Sequence, residues 1–282
     1  MKGIFDLLVH QSFMQNAFLA GLLSSFAFGT AGSFVVIKRL AGLSGGIAHA
    51  VLGGIGLAYY FHFPTILGAL GFALISAFIL GTVKMKAKQR EDTVIAALWS
   101  VGMAGGIILM FFTPGYQSDL LNYLFADILL ISKSYLWLLF GLDVFIFVVF
   151  FFFYRHFVYL SFDEDYTALR GLPVYWLNIL LLCMIALTII ILIQVVGLIL
   201  VIAMLTLPSA IAGLFVKRLS RMILLSTVLG VFFIFSGIVL SVFLNLPAGA
   251  TIILFCGISY LIAINVKRIV VRHRKRLKKS DG

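Results

Sequence analysis

Charge is what this sequence has least of. Only 11% of its 282 residues are Asp, Glu, Lys or Arg, against about 25% in an average soluble domain, and 63% are hydrophobic. That shortage excludes a soluble body of any size. Acids are scarcer than bases, 10 against 21, for a net charge of +11. In a soluble protein this balance would suggest nucleic acid, but here the basic residues cluster beside apolar runs, as they do on the cytoplasmic flanks of membrane spans. Cysteine is nearly absent. Cys183 and Cys256 both lie in apolar runs, which excludes a CxxC site or a disulfide framework and leaves two small packing residues. There is no G-x-x-x-x-G-K-[ST], so the chain has no P-loop for ATP, and there is no HExxH. The first apolar run, Ala17 to Ile37, is too long for the core of a secretory signal and ends in Lys38-Arg39, as a true span would.

What is present is a succession of long apolar segments. A helix needs about 20 apolar residues to cross a bilayer. Nine segments qualify, at about 14–37, 43–61, 64–83, 93–112, 134–154, 174–193, 196–215, 222–243 and 248–266. The expected fold is therefore all-α and polytopic, one permease-like transmembrane domain over 1–282. Charge checks the count. With the N-terminus outside, Lys38-Arg39, Lys84 to Arg90, Arg155, Arg170, Lys217-Arg218, Arg221 and the tail all fall on the cytoplasmic side, and only Lys2 and Lys133 fall outside. The closest junction is near Gln194, where two spans meet with almost no loop.

Three segments are not simple spans. Residues 113–133 open on a Thr-Pro-Gly turn signal, and the apolar part, about 12 residues, is too short to cross. A short helix near the outer mouth fits. Residues 155–173 form the longest internal cytoplasmic segment, with an acidic start at Asp163-Glu164-Asp165 and a stop at Gly171-Leu172-Pro173, the pattern of a short surface helix. The tail 267–282 carries eight Lys or Arg between Lys267 and Lys279, enough to anchor it on anionic lipid.

Few side chains carry chemistry. His49 sits in an uncharged, glycine-rich span, Ser44-Gly45-Gly46-Ile47-Ala48-His49-Ala50-Val51-Leu52-Gly53-Gly54. An ionisable group there is a functional candidate by default, and imidazole is the commonest metal ligand. The alternative is a buried histidine bonded to a neighbouring carbonyl. One imidazole does not make a metal site, so partners must come from other spans or from a second copy of the chain. Asp127 in the mouth helix and Asp143 in the fifth span are oxygen donors at useful depths, or else structural partners for nearby polar groups. Glu91-Asp92 open the fourth span, where acids favour a helix N-terminus. Met103 and Met204 read as packing. Asp163-Glu164-Asp165 could also bind magnesium in a membrane enzyme, and His49 with Asp143 could form a proton relay in a secondary transporter, although no inverted repeat is visible.

Taken in order, several short stretches resemble the permease subunit of ATP-binding-cassette importers for zinc, manganese and iron. They are Gly32-Ser33-Phe34-Val35-Val36, Ile47 to Gly54, Glu91-Asp92-Thr93-Val94-Ile95, Leu121 to Leu129, Ala168 to Val174, Gln194-Val195-Val196-Gly197, Leu207-Pro208-Ser209-Ala210 and Asn245 to Ala250. The resemblance covers nearly the whole chain. It implies a transport subunit that is not an enzyme and binds no cofactor of its own, in a bacterial cytoplasmic membrane. It implies two copies forming one path, a separate cytoplasmic ATPase dimer, an external metal-binding protein and a transported divalent metal. Asp163, Glu164, Asp165, Arg170, Gly171 and Pro173 fall in the segment that touches the ATPase in this family, and residues 119–131 match its outer gate helix. Many members carry Asp four residues before the motif histidine, where this chain has Gly45. Loss of a carboxylate weakens the case for manganese more than for zinc, so zinc is the expected ion.

Overall fold

A computed structural model of the chain describes residues 11–86, 91–113, 123, 124, 126 and 128–280, the last ten of these and Glu91 by their backbone alone. Among the described residues there are ten α-helices and no strand. They are α1 (Ser12–Ile37), α2 (Ala41–Tyr60), α3 (Thr65–Lys86), α4 (Glu91–Phe111), α5 (Lys133–Phe162), α6 (Glu164–Leu169), α7 (Val174–Val196), α8 (Val201–Phe215), α9 (Leu219–Leu244) and α10 (Ala248–Ser280). Eight of the described helices are long and apolar enough to cross a membrane. The protein is a multi-span, all-α membrane protein.

Where the helices depart from the hydropathy boundaries, local chemistry gives the reason. The segment expected to span 196–215 becomes α8, with 15 residues and a length of about 22 Å. The backbone breaks at Gly197, whose φ of +87° and ψ of 161° lie in a region open to glycine alone. Within a bilayer such a break must be buried in protein with its polar groups satisfied. The amides of Leu198 and Ile199 donate to the carbonyls of Tyr123 and Leu124, at 3.1 and 3.3 Å. The mouth segment thus closes the gap between α7 and α8. Its described part beyond residue 113 is Tyr123, Leu124, Ala126, a 3₁₀ turn, Ile128–Leu130, and the two residues Ile131 and Ser132 that lead into α5. The fifth span also overruns its expected end. Helix α5 has 30 residues, about 45 Å of rise, so the segment between spans shortens from 155–173 to 163–173. The final helix continues into the basic tail as far as Ser280.

Helices α2 and α7 form the buried centre, and α4 and much of α5 face outward. Helix α2 packs closely on α3 and α4 because the facing positions are glycines. A Cβ on Gly54 would run into the Gly68 carbonyl, and one on Gly106 into the Leu52 carbonyl. Lipid tails are as apolar as leucine, so close backbone contact is what holds spans together. On the other flank, α1 meets α5 through rings. Phe34 stacks on Phe150 at 5.2 Å and meets the edge of Phe157 at 5.8 Å.

Candidate functional site

The glycine interface holds His49 at the middle of α2. The residue is 8% exposed, and its Nδ1 is buried with no hydrogen-bond partner among the described residues. Its ring lies flat on the indole of Trp99 in α4, with centroids 4.0 Å apart and planes 10° from parallel. The indole Nε1 donates to the sulfur of Met103 at 3.1 Å, so Met103 does more than pack. One turn before His49, a Cβ at Gly45 would lie 3.0 Å from Ile202 Cδ1 in α8 and 3.8 Å from the Trp99 ring. The imidazole thus lies between α2 and α4, with Ile202 of α8 beside the turn that precedes it.

Asp143 is equally buried, at 8% exposure, and neither carboxyl oxygen has a partner among the described residues. It shares the inward face of α5 with Leu139, Ile146 and Phe150. That face meets α1 and α7, whereas α2 is surrounded chiefly by α3, α4 and α7. The structure therefore places His49 and Asp143 on helices that do not pack on one another. Asp127 lies outside the described residues. Among the described residues no group of three or more His, Cys, Asp and Glu is arranged to hold a metal.

At the end of the bundle marked by Lys38 and Lys84, the acidic cluster has structural work. Asp163 caps α6 by accepting from the Tyr166 amide at 2.9 Å. Lys38, 5% exposed, donates to Glu164 Oε1 and to the Leu160 carbonyl, both at 2.8 Å. Burial opposes the Glu164 charge, but the Lys38 hydrogen bond and charge, the Lys84 charge and Asn178 outweigh it and hold the carboxyl below its ordinary value. The Arg170 guanidinium lies over the Tyr159 and Tyr166 rings, 4.8 and 4.9 Å from their centroids. Gly171 takes φ +73° to end α6, and Pro173 stands immediately before α7. A cavity of about 210 Å³ opens here beside Lys38, Arg39, Lys84, Asp163 and Glu164. Asp163 thus serves as a cap and Glu164 in an ion pair.

Sequence reasoning missed Trp99 and the pairing of Lys38. The spacing of residues 49 and 99 says nothing about contact until two spans are packed. A lysine ending a span reads first as a topology marker.

Comparison with known proteins supplies the context. The model of the ABC 3 transport family matches residues 10–267. An uncharacterized membrane protein of Synechocystis sp. is 47% identical over 256 residues, covering 91% of each chain. A manganese transport system membrane protein of Halalkalibacterium halodurans is 32% identical over 259 residues, covering 92% of this chain and 89% of its own. Among solved structures, PsaBC from Streptococcus pneumoniae in complex with Fab has a chain that superposes with a TM-score of 0.85 at 29% identity, over 93% of this chain and 94% of that one. A family match that runs from before α1 into α10 takes in every span, so this membrane chain belongs to the ABC 3 transport family and is a transport subunit, not an enzyme.

Proposed function

We propose that the chain is the permease of an ATP-binding-cassette importer for a divalent transition metal, working as two copies with a separate cytoplasmic ATPase and an external metal-binding protein. The observation that carries this reading is a buried imidazole, with a ring nitrogen that has no hydrogen-bond partner among the described residues, at mid-span in a member of this family. A single imidazole is too few donors for a resident metal centre, but it suits a path on which the ion must bind weakly enough to leave. Two copies would bring two such imidazoles to one path, and the ion would pass the mouth segment at Tyr123–Leu130 before reaching them. Lys38 would tie α6, the ATPase-facing element, to the α1–α2 turn. His49 stands nine residues beyond Leu40, about 14 Å along α2, so movement of α6 has a short mechanical route to it. The basic end of the bundle would face the cytoplasm, with the N-terminus outside and the basic tail on the inner leaflet of the cytoplasmic membrane.

Zinc suits the site because the donors are imidazole-based and position 45 has no carboxylate. Manganese is the second reading, favoured by the Halalkalibacterium relative's description as a manganese transport protein. The deciding experiment is uptake of zinc, manganese and iron into proteoliposomes holding the chain, its ATPase and the binding protein. Uptake that requires hydrolysable ATP is expected. Metal entry driven by a proton gradient without ATP would overturn the importer reading. His49→Ala is expected to reduce uptake by at least about tenfold, in the range of losses on disturbing a metal site, with assembly of the complex intact.

A further inference from the structure

We propose that Trp99 is a specificity-determining positioning residue, which sets the plane of the His49 imidazole in the role that a hydrogen-bonding carboxylate usually plays. The inference rests on the importer reading above, and four observations carry it. The two rings are stacked at 4.0 Å and nearly parallel. Nδ1 of His49 is buried and has no acceptor among the described residues, so no hydrogen bond from that nitrogen fixes the ring. In most metal-binding histidines such a bond, to a carboxylate or carbonyl, sets orientation and basicity. The indole is itself pinned, because Nε1 donates to Met103 one turn along α4. Finally, the space one turn before His49 is narrow and apolar. A Cβ at Gly45 would lie 3.0 Å from the terminal Cδ1 of Ile202, which would have to give by a few tenths of an ångström, and in ordinary contact with the indole at 3.8 Å. With no carboxylate at position 45, the indole face is the group among the described residues that can set the ring.

The difference has a chemical consequence. An indole face offers π-electron density but no lone pair for a metal. It steadies an imidazole, and does so more strongly when the ring carries positive charge from a bound ion. It adds no hard oxygen donor. A path built this way discriminates for nitrogen-seeking ions such as zinc against oxygen-seeking ions such as manganese.

The stack supplies its own probe. Trp137 and Trp176 are exposed at 75% and 60%, so the full chain carrying Trp137→Phe and Trp176→Phe keeps Trp99 as its one indole. In nanodiscs, zinc chloride should change Trp99 emission in a saturable manner, and His49→Ala in that background should abolish the change. In the transport assay, Trp99→Leu should raise the KM for zinc by roughly 10–100-fold with the maximal rate near wild type, and Trp99→Phe should restore most of the loss. Emission indifferent to zinc, an emission change that survives His49→Ala, or a wild-type KM in Trp99→Leu would each overturn the assignment. Uptake that does not need ATP, beside an intact His49-dependent emission change, would count against the importer reading and leave the role of Trp99 standing.

Discussion

The two ends of the helix bundle are fastened by different chemistry. At the basic end, α6 is held by a charged pair between Lys38 and Glu164, a capping carboxylate at Asp163 and a guanidinium over two tyrosine rings. At the other end, the mouth segment is held by two backbone hydrogen bonds to Leu198 and Ile199, the Tyr123 hydroxyl on Thr65 Oγ1 at 2.8 Å, and the Asn16 amide on the Ile131 carbonyl at 3.2 Å. Charged hydrogen bonds are roughly twice as strong as neutral ones. The first end is built as a firm platform and the second as a closure held by neutral contacts. That division suits a transporter whose drive enters at one end and whose cargo enters at the other.

The comparison can be broken most severely at Gly197. Alanine there must adopt a backbone conformation that costs about 1–3 kcal/mol, and any relief moves the amides that hold Tyr123 and Leu124. Gly197→Ala should lower the melting temperature of the detergent-solubilised chain and speed hydrogen exchange at the mouth segment. Unchanged exchange there would show that the break does not hold the closure. Next is Lys38→Ala, which removes two hydrogen bonds and leaves the Glu164 charge to Lys84 and Asn178 alone, a loss of about 2 kcal/mol. In the assembled complex it should weaken the coupling of ATP hydrolysis to uptake, measured as metal transported per ATP.

Tyr123→Phe removes one neutral hydrogen bond, worth about 1 kcal/mol. It should loosen the mouth, seen as faster exchange, while the yield of ATPase complex stays at wild type. If it reduces ATPase assembly instead, the two ends are not separable. The smallest effect belongs to Glu164→Gln, since glutamine keeps an oxygen that accepts from Lys38 and the charge it removes is partly exposed to solvent screening. Its value is in the pH profile. The folded carboxyl titrates below its ordinary value of 4.5, so its stabilising contribution is complete above that value and is lost as pH falls through the lower folded value. The wild-type melting temperature should therefore fall more steeply than that of Glu164→Gln below about pH 4.5, and parallel curves would contradict the pairing.

The spans were legible because the membrane imposes one pattern, about 20 apolar residues between polar flanks. Hydropathy could not distinguish a full span from the break at Gly197 followed by the shorter α8, since Leu198 to Leu200 are as apolar as the helices around them. Nor could it show that α5 continues through Arg155 to Phe162, because an apolar helix does not stop at a single arginine. The α6 stop was legible in Gly171 and Pro173, and the acidic start in Asp163, because capping depends on neighbours in the chain. His49 stood out by its rarity. Its contact with Trp99, and the separation of Asp143 from it, depend on which helices pack together.

Composition and order along the chain determined that this protein lies in a membrane as a helical bundle, where most of the spans begin and end to within a few residues, and that an imidazole sits at depth among glycines. These are local or additive properties: the cost of burying charge, the length of an apolar run, the size of a side chain. Only the tertiary structure decided that Trp99 covers the imidazole, that Ile202 takes the space beside Gly45, that Lys38 reaches Glu164 across more than a hundred residues and that the mouth segment satisfies the break before α8. Each of these is a contact between helices distant in sequence. Close packing selects such contacts through the shapes of both surfaces at once, and neither segment specifies its partner alone.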